Sequence, residues 1–299
     1  MTPDAFSLGA TLYLPATRQD LLKVIRSTQV DLRSAVICLE DSIRGQEVEL
    51  ALANLRDLLA SPSVKEKPHL FVRPRSATML ARIQSFPGIH RLAGFVLPKV
   101  TASNLPEYLA CVNDRHLLMP TLETREVLDH AQMRRLRRQL LSIKERIVAL
   151  RIGGNDLLQT IGARRSAMRT AYDGPLGYMV ASLVTAFAPY GFALSAPVFE
   201  HFENAALLRE EVERDMEHGL YTKTAIHPAQ VAAIQALYAV DVEDLAEARA
   251  VLCDQSRAVF GSRGSMCEPM THQRWANAII RRSEAFGIRP GSAIAAATG

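Results

Sequence analysis

Cysteine is scarce and unpatterned. The 299 residues contain four, Cys38, Cys111, Cys253 and Cys267. None forms a C-x-x-C pair or fits the ligand spacing of a zinc site. A disulfide framework is thereby excluded, and a reduced, cytoplasmic chain is expected. Cys38 lies inside an apolar run and reads as a small core residue. Long apolar runs are missing as well. No segment approaches the roughly 20 residues that span a membrane, so no membrane partner is expected. The opening Met1-Thr2-Pro3-Asp4-Ala5-Phe6 has no basic stretch followed by an apolar one, so no signal peptide is expected. A glycine-rich turn is absent after the first apolar run, where the sequence reads Pro15-Ala16-Thr17-Arg18. This argues against a doubly wound dinucleotide-binding sheet. No motif for nicotinamide, flavin or nucleoside triphosphate is found, and no internal repeat.

What is present describes an ordinary globular protein. Hydrophobic residues make up 48% and charged residues 22%, enough for a full core and too balanced for bulk disorder. The net charge of +4 is a mild excess. It suits a ligand bearing phosphates or carboxylates and does not call for nucleic acid. The arginine clusters at Arg134, Arg135, Arg137 and Arg138, at Arg164 and Arg165, and at Arg281 and Arg282 read as solvated helix faces.

Short apolar runs alternate with longer amphipathic stretches. Strands are expected near 8–14, 35–40, 69–73, 94–98, 117–122, 147–152, 192–198 and 221–226. Helices are expected at 18–29, 46–60, 77–86, 103–112, 125–142, 176–189, 204–218 and 228–238. Near-continuous apolar strands alternating with helices imply parallel β/α units. Their tally fits a (β/α)8 TIM barrel over residues 1–240, of the α/β class. Residues 241–260 read as a further helix with Asp241 as its cap, 261–269 as a Gly- and Ser-rich loop, and 270–286 as a last helix. This helical extension, 241–299, is expected to pack on the barrel or on a neighbouring subunit, with Pro290 to Gly299 frayed.

Barrel enzymes carry their chemistry at the C-terminal ends of the strands. The polar residues ending these runs are Glu40-Asp41, Arg73-Pro74-Arg75, Pro98-Lys99, Glu123-Thr124 and Gly153-Gly154-Asn155-Asp156. All should converge on one mouth, where acids and bases together suit a hard cation with an anionic ligand. Mg2+ keeps several waters, so one or two protein carboxylates suffice. Glu123 and Asp156, on neighbouring expected strands, can reach one ion. Gly154 and Asn155 beside them can approach a substrate through the backbone. Arg73 offers a planar fork for a carboxylate. Each has a plainer reading: Asp41 or Asp156 as a helix cap, Lys99 as a solvated cation, His227 before Pro228 as a turn residue.

With those residues in view, the sequence resembles the citrate lyase beta-subunit and HpcH/HpaI aldolase superfamily. The motifs run in order: LYLPA at 12–16, ICLEDSI at 37–43, FVRP at 71–74, VLPKV at 96–100, PTLET at 120–124, RIGGNDLL at 151–158 and TKTAIHPAQ at 222–230. The resemblance implies a TIM barrel, a Mg2+ ion and carbon–carbon bond cleavage or formation beside a thioester or keto acid. It also implies a homo-oligomer, a trimer or hexamer. It makes Glu123 and Asp156 the metal ligands and Arg73 the group that holds the substrate. Glu40 and Asp41 become an acidic pair near the metal waters, and Lys99 the lysine of the fourth strand. Glu268 falls near a catalytic acid of the C-terminal segment, with Glu where Asp is usual. Other departures are Arg75 in place of an asparagine and Thr222 in place of a glycine, the latter in a segment that helps seat coenzyme A in many relatives. APVFE at 196–200 and MCEPMTHQRWA at 266–276 look closer to a divergent subgroup associated with tellurite-resistance or stress-response gene clusters. The expected activity is Mg2+-dependent lysis or formation of a small carboxylated β-hydroxyacyl-CoA thioester. The alternatives are a metal-dependent aldolase on a free 2-keto acid and a non-catalytic barrel.

Overall fold

The computed structural model describes residues 3–27, 31–61 and 68–289. The apolar runs form eight strands: β1 (Ala10–Pro15), β2 (Ser34–Cys38), β3 (His69–Arg73), β4 (Gly94–Leu97), β5 (Leu117–Leu122), β6 (Leu150–Ile152), β7 (Leu194–Ser195) and β8 (Lys223–Ala225). They lie in the order β7-β6-β5-β4-β3-β2-β1-β8, and every neighbouring pair is parallel. A parallel bridge from Ala196, just past β7, to Lys223 closes the ring. The fold is the TIM barrel that the alternation implied.

Parallel neighbours need crossover connections, and helices supply them. The chain runs through α1 (Ala5–Leu8), α2 (Leu21–Ile25), α3 (Val48–Ala60), α4 (Ala77–Gln84), α5 (Leu105–Cys111), α6 (His130–Leu141), α7 (Gly154–Thr160), α8 (Pro175–Phe187), α9 (Ala205–Glu217) and α10 (Pro228–Leu237). Several starts are fixed by side chains that accept from otherwise unpaired amides. Ser76 accepts from Met79 N, Asp129 from Ala131 N and Gln132 N, and Asn204 from Leu207 N.

Several of these differ from the sequence expectation. The helix read at 125–142 is broken. A single 3-10 turn, Arg125–Leu128, ends at Asp129, which leaves helical geometry to cap α6. The helix read at 18–29 is helical only over Leu21–Ile25, and its last expected residues lie outside the described ones. The short α7 was not foreseen as starting at Gly154; Asp156 sits inside its first turn, not before it as a cap.

Inside the barrel, successive residues of each strand point alternately inward and outward. Leu8, Val36, Phe71, Val96, Met119 and Ala149 form one buried apolar layer. One step toward the strand C-termini the lining turns polar. Outward-pointing residues meet the helices, and here β8 makes an unusual contact. Lys223 is wholly buried and donates through Nζ to Glu211 (3.0 Å) and Asp215 (2.8 Å) of α9. Glu211 also accepts from Ala171 N at 2.8 Å and pairs with Arg165, while the Tyr172 hydroxyl donates to Asp215 at 2.6 Å. The network ties α9 and the 163–173 segment to the last strand.

The chain divides into two compact units, Met1–Ile234 and Gln235–Gly299, with the division inside α10. In the second unit β9 (Val240–Asp241) precedes α11 (Val242–Leu252), β10 (Phe260–Ser262), β11 (Ser265–Cys267), α12 (Pro269–Phe286) and β12 (Ile288–Arg289). Leu245, Ala248, Val251, Cys267, Ala276 and Ile279 make its core. The helix expected to reach 260 stops at Leu252. The loop expected at 261–269 is a hairpin in which β10 and β11 pair antiparallel across Arg263 and Gly264. Both turn residues have positive φ, 48° and 77°, the geometry that matches the twist of a two-residue hairpin. Asp241 precedes α11 as expected, but its carboxylate is taken by Arg289 at 2.7 and 3.0 Å. Pro290 to Gly299 lie outside the described residues.

Removing one partner of a buried ion cluster leaves its opposite charges uncompensated in a medium that solvates them poorly. Lys223→Met is therefore expected to destabilise the protein by about 3–5 kcal/mol, measured by urea unfolding. A loss below about 1 kcal/mol would show that the cluster carries no net stability.

Candidate active site

The strand ends that the sequence singled out meet at one mouth. Arg73, the last residue of β3, reaches Glu40 Oε2 and Glu123 Oε1 through the same Nη2, each at 2.9 Å, with Asp41 at 3.6 Å. Glu40 and Asp41 follow β2, and Glu123 follows β5. Neither Glu40 nor Asp41 caps a helix, since α3 begins only at Val48. Arg75, the departure after the third strand, is also used. Its Nη2 donates to the carbonyls of Glu40 (3.2 Å) and Ile43 (2.5 Å), holding the β2 loop in place.

Lys99 joins the same group from β4. Its Nζ donates to Glu40 Oε1 at 2.7 Å and to Asp41 Oδ1 at 3.2 Å, and stands 3.7 Å from Asp156 Oδ1. Its backbone N–H donates to Glu123 Oε1 at 2.8 Å. To make both contacts the residue adopts φ 50°, left-handed and uncommon for a side chain other than glycine. These contacts pair Lys99 with the acids while its side chain stays 46% exposed.

The electrostatics follow from crowding four carboxylates near two cations. Burial, and then the charge of Asp156, push the Glu123 carboxyl up to about 7, against the pull of Arg73. Burial, and then Asp41, push Asp156 upward as well. Burial raises Glu40, helped by its hydrogen bond with Asp41. Asp41 itself goes down: burial opposes this, but Glu40, Arg73 and Lys99 outweigh it. Arg73 and Lys99 are held firmly charged by the acids around them despite their own desolvation.

A cavity of about 460 Å3 opens here. Asp41, Arg73, Glu123, Gly154, Asn155 and Asp156 all line it. Gly153 has a steric reason to be glycine: a Cβ there would fall 2.2 Å from Glu123 Oε2. Gly154 is needed for packing, because its Cβ would meet Leu176 and Pro197 at 2.9 Å. The Asn155 amide donates to Glu200 Oε2 at 2.8 Å, which gives the APVFE segment a structural task at the rim. Sequence reasoning did not single out the deeper lining. Tyr13, Cys38, Thr121, Arg151 and Thr224 lie there, and inward alternation from Arg73 and Glu123 was the signal that could have found them. Cys38 is buried as expected, yet it faces this cavity. Glu268 belongs to the second unit, where it precedes α12 and its carbonyl contacts His272 Nδ1 at 2.8 Å. His227, read as a turn residue, accepts from Ala229 N at 3.3 Å and stacks on Phe202 with ring centroids 5.3 Å apart.

The donor set fits a hard cation of low protein coordination. Glu123 Oε1 takes both hydrogen bonds, from Arg73 and Lys99, and Oε2 takes none from the described residues. Asp156 receives no side-chain hydrogen bond among them, Lys99 being beyond hydrogen-bond reach. Two carboxylates with oxygens to spare, each raised by burial and by acidic neighbours, suit Mg2+, which needs only one or two. Among the described residues no group of three or more His, Cys, Asp or Glu is arranged to hold a metal, so a closed all-protein cage is not built here.

The family model for C–C bond lyases of the TIM-barrel fold matches residues 2–288. The chain belongs to that family. A (3S)-malyl-CoA thioesterase of Cereibacter sphaeroides is 24% identical over 241 residues, covering 80% of this lyase-family chain and 79% of that protein. Among solved structures, CitE of Mycobacterium tuberculosis in complex with magnesium, acetoacetate and coenzyme A superposes with a TM-score of 0.70 at 22% identity. It covers 94% of this chain and 99% of that one. The citrate lyase beta subunit of M. tuberculosis complexed with oxaloacetate and magnesium gives 0.59 at 21% identity, over 78% of this chain and 98% of that one. These structural likenesses establish the shared barrel. No helix among the described residues is long and apolar enough to cross a membrane.

If Glu123 holds Mg2+, the ion competes there with a proton. The pKa of Glu123 in the fold, about 7, lies above the ordinary 4.5. The metal-free fold therefore binds the extra proton, and the stability this confers is full below about pH 4.5 and lost as pH rises through 7. A cation replaces the proton, so Mg2+ is expected to raise Tm more at about pH 8 than at about pH 5.5. Glu123→Gln should remove most of that difference. An equal Mg2+ shift at both pH values in the parent protein would remove Glu123 from the metal site.

Proposed function

We propose that this member of the family is a Mg2+-dependent lyase that cleaves, or in reverse forms, the carbon–carbon bond of a small carboxylated β-hydroxyacyl-CoA thioester. The observation that carries this reading is the meeting of Arg73, Lys99, Glu40, Asp41, Glu123 and Asp156 at one barrel mouth over a cavity of substrate size. Glu123 and Asp156 would hold the ion. When bound, Mg2+ supplies positive charge where oxygen charge develops and orients the carboxylated ligand.

The protein's own groups account for the rest. Arg73 presents a guanidinium whose Nε is buried without a hydrogen-bond partner among the described residues, so a ligand oxygen can accept a hydrogen bond from it and be held beside Nη2. In the lytic direction a base removes the β-hydroxyl proton, the oxygen forms a carbonyl, and the electron pair of the breaking bond passes to the acyl fragment as an enolate. Protonation of that enolate completes the acyl thioester. Of the acidic pair, Asp41 lines the cavity and is the carboxylate placed to take and return the proton, while Glu40 lies behind it, bridged to both Arg73 and Lys99. Lys99 stays cationic throughout and keeps Glu40 and Asp41 in register. Preorganised cations aimed at developing negative charge act strongly in a partly dry site.

Thioester use is supported by the thioesterase and CitE likenesses. One observation favours a second reading, an aldolase acting on a free keto acid. Lys223, the cation of the TKTAIHP segment, is spent inside the barrel wall on Glu211 and Asp215 and offers no charge to coenzyme A phosphates.

The test is a product assay with Mg2+ on malyl-, citramalyl- and citryl-type thioesters and on the matching free hydroxy acids. Release of an acyl-CoA with a 2-oxo acid supports the lyase, and release of free coenzyme A would replace it with a hydrolase. Turnover of the free acids alone would favour the aldolase. Arg73→Lys keeps the charge that Glu40 and Glu123 need but loses the fork. It is expected to lower kcat/KM by about 10- to 100-fold, the worth of one or two charge-assisted hydrogen bonds, with a Tm close to the parent. Unchanged kcat/KM would show that Arg73 serves only the carboxylates.

A further inference from the structure

The polar lining deeper than the metal face is not accounted for by that chemistry. Arg151 is only 2% exposed, in the middle of β6, yet it lines the cavity. Its Nη2 donates to Thr224 Oγ1 at 2.5 Å, its Nη1 lies 3.6 Å from Met119 Sδ, and its guanidinium carbon stands 5.1 Å from the centroid of the Tyr13 ring. Beside it across the β5–β6 ladder is Thr121, paired in register with Arg151. Thr121 is 4% exposed, lines the same cavity, and its Oγ1 has no hydrogen-bond partner among the described residues. A hydroxyl buried without a partner at the floor of a substrate-sized cavity is costly unless something completes it, and here it stands beside a guanidinium that lines the same cavity.

Position gives the spacing. Thr121 and Glu123 are two residues apart on one strand, which places the floor roughly 7 Å below the metal carboxylate at about 3.3 Å per residue. A short ligand held by Arg73 and the metal carboxylates at one end can reach the floor with the other. An anionic oxygen there would accept from Arg151 and from the Thr121 hydroxyl in a fully desolvated setting, where charge-assisted bonds are strongest.

We propose that Arg151 and Thr121, with Thr224 orienting the guanidinium, form a subsite for a second carboxylate, so that the oxo-acid half of the substrate is dicarboxylic. This rests on the lyase reading and adds to it the chemical class of one product. Arg151 is then a specificity residue: it discriminates between acids that share the reacting end and differ only at the far one.

The probes are oxaloacetate and pyruvate, which differ by that far carboxylate, titrated calorimetrically into the 299-residue protein with Mg2+. The parent is expected to bind oxaloacetate roughly 10- to 100-fold more tightly than pyruvate. Arg151→Met should abolish the preference while leaving pyruvate affinity unchanged. Thr121→Val, nearly isosteric and less disruptive, should reduce it several-fold, which keeps the test open if the Arg151 variant does not fold. Equal binding of the two acids by the parent, or an undiminished preference in folded Thr121→Val and Arg151→Met proteins, overturns the subsite and leaves the lyase reading standing. Binding of neither acid in the presence of Mg2+ overturns both.

Discussion

The mouth of the barrel depends on one guanidinium. Arg73 stands between Glu40 and Glu123 at equal distance and close to Asp41. These acids arrive on β2 and β5, which do not pair with each other. Without a shared cation their mutual repulsion in a partly dry setting would push them apart or protonate them. Arg73 can take this position because β3 lies between β2 and β4 in the sheet order, and because it is the last residue of its strand. The fold supplies the place, and the charge of Arg73 makes the place habitable for acids. The same arrangement leaves Glu123 and Asp156 short of positive charge on the side facing the cavity, and that residual deficit is what a divalent ion would meet.

Much of this was legible in the sequence because strand ends are easy to read. An apolar run broken by Glu40-Asp41, by Arg73 or by Lys99 announces both the strand and the place where it meets solvent. The eight runs and their order carried the barrel. The failures have particular causes. Arg151 sits within RIGGND, and a single cation inside a short run looks like a strand edge until the inward alternation of its neighbours is known. Lys223 looks like a surface residue of a ligand segment, but its partners Glu211 and Asp215 lie on a helix whose pairing with β8 no local pattern reveals. The helix at 125–142 reads as continuous because Asp129 is tolerated in a helix by composition alone, and its role as a cap is a matter of backbone geometry. The hairpin at 260–267 was read as a loop because Gly and Ser signal a turn without saying what flanks it.

The two rings of interior residues divide the labour of the barrel. The lower ring, from Leu8 to Ala149, is apolar and supplies the packing that holds the sheet closed. The upper ring, from Tyr13 to Thr224, is polar, lines the cavity and carries the proposed subsite. Burial pushes the Tyr13 phenol upward, while Arg151 and Arg73 oppose it, so the phenol remains a neutral neighbour to both cations. Outside the ring, the Lys223 cluster ties α9 to the wall at β8, where the closing contact to the seventh strand is a single bridge.

Lys99 grips the site twice, once with its side chain and once with its peptide nitrogen. The second grip belongs to the main chain and is indifferent to what is attached to the α-carbon. Replacement of this residue during evolution could therefore retune the charge at the rim without releasing Glu123. The left-handed backbone at that point restricts the substitutes that fit comfortably to glycine, asparagine and aspartate. The position thus separates two properties that usually change together: the acidity of the entrance, open to revision, and the placement of the carboxylate behind it, which is inherited with the chain trace.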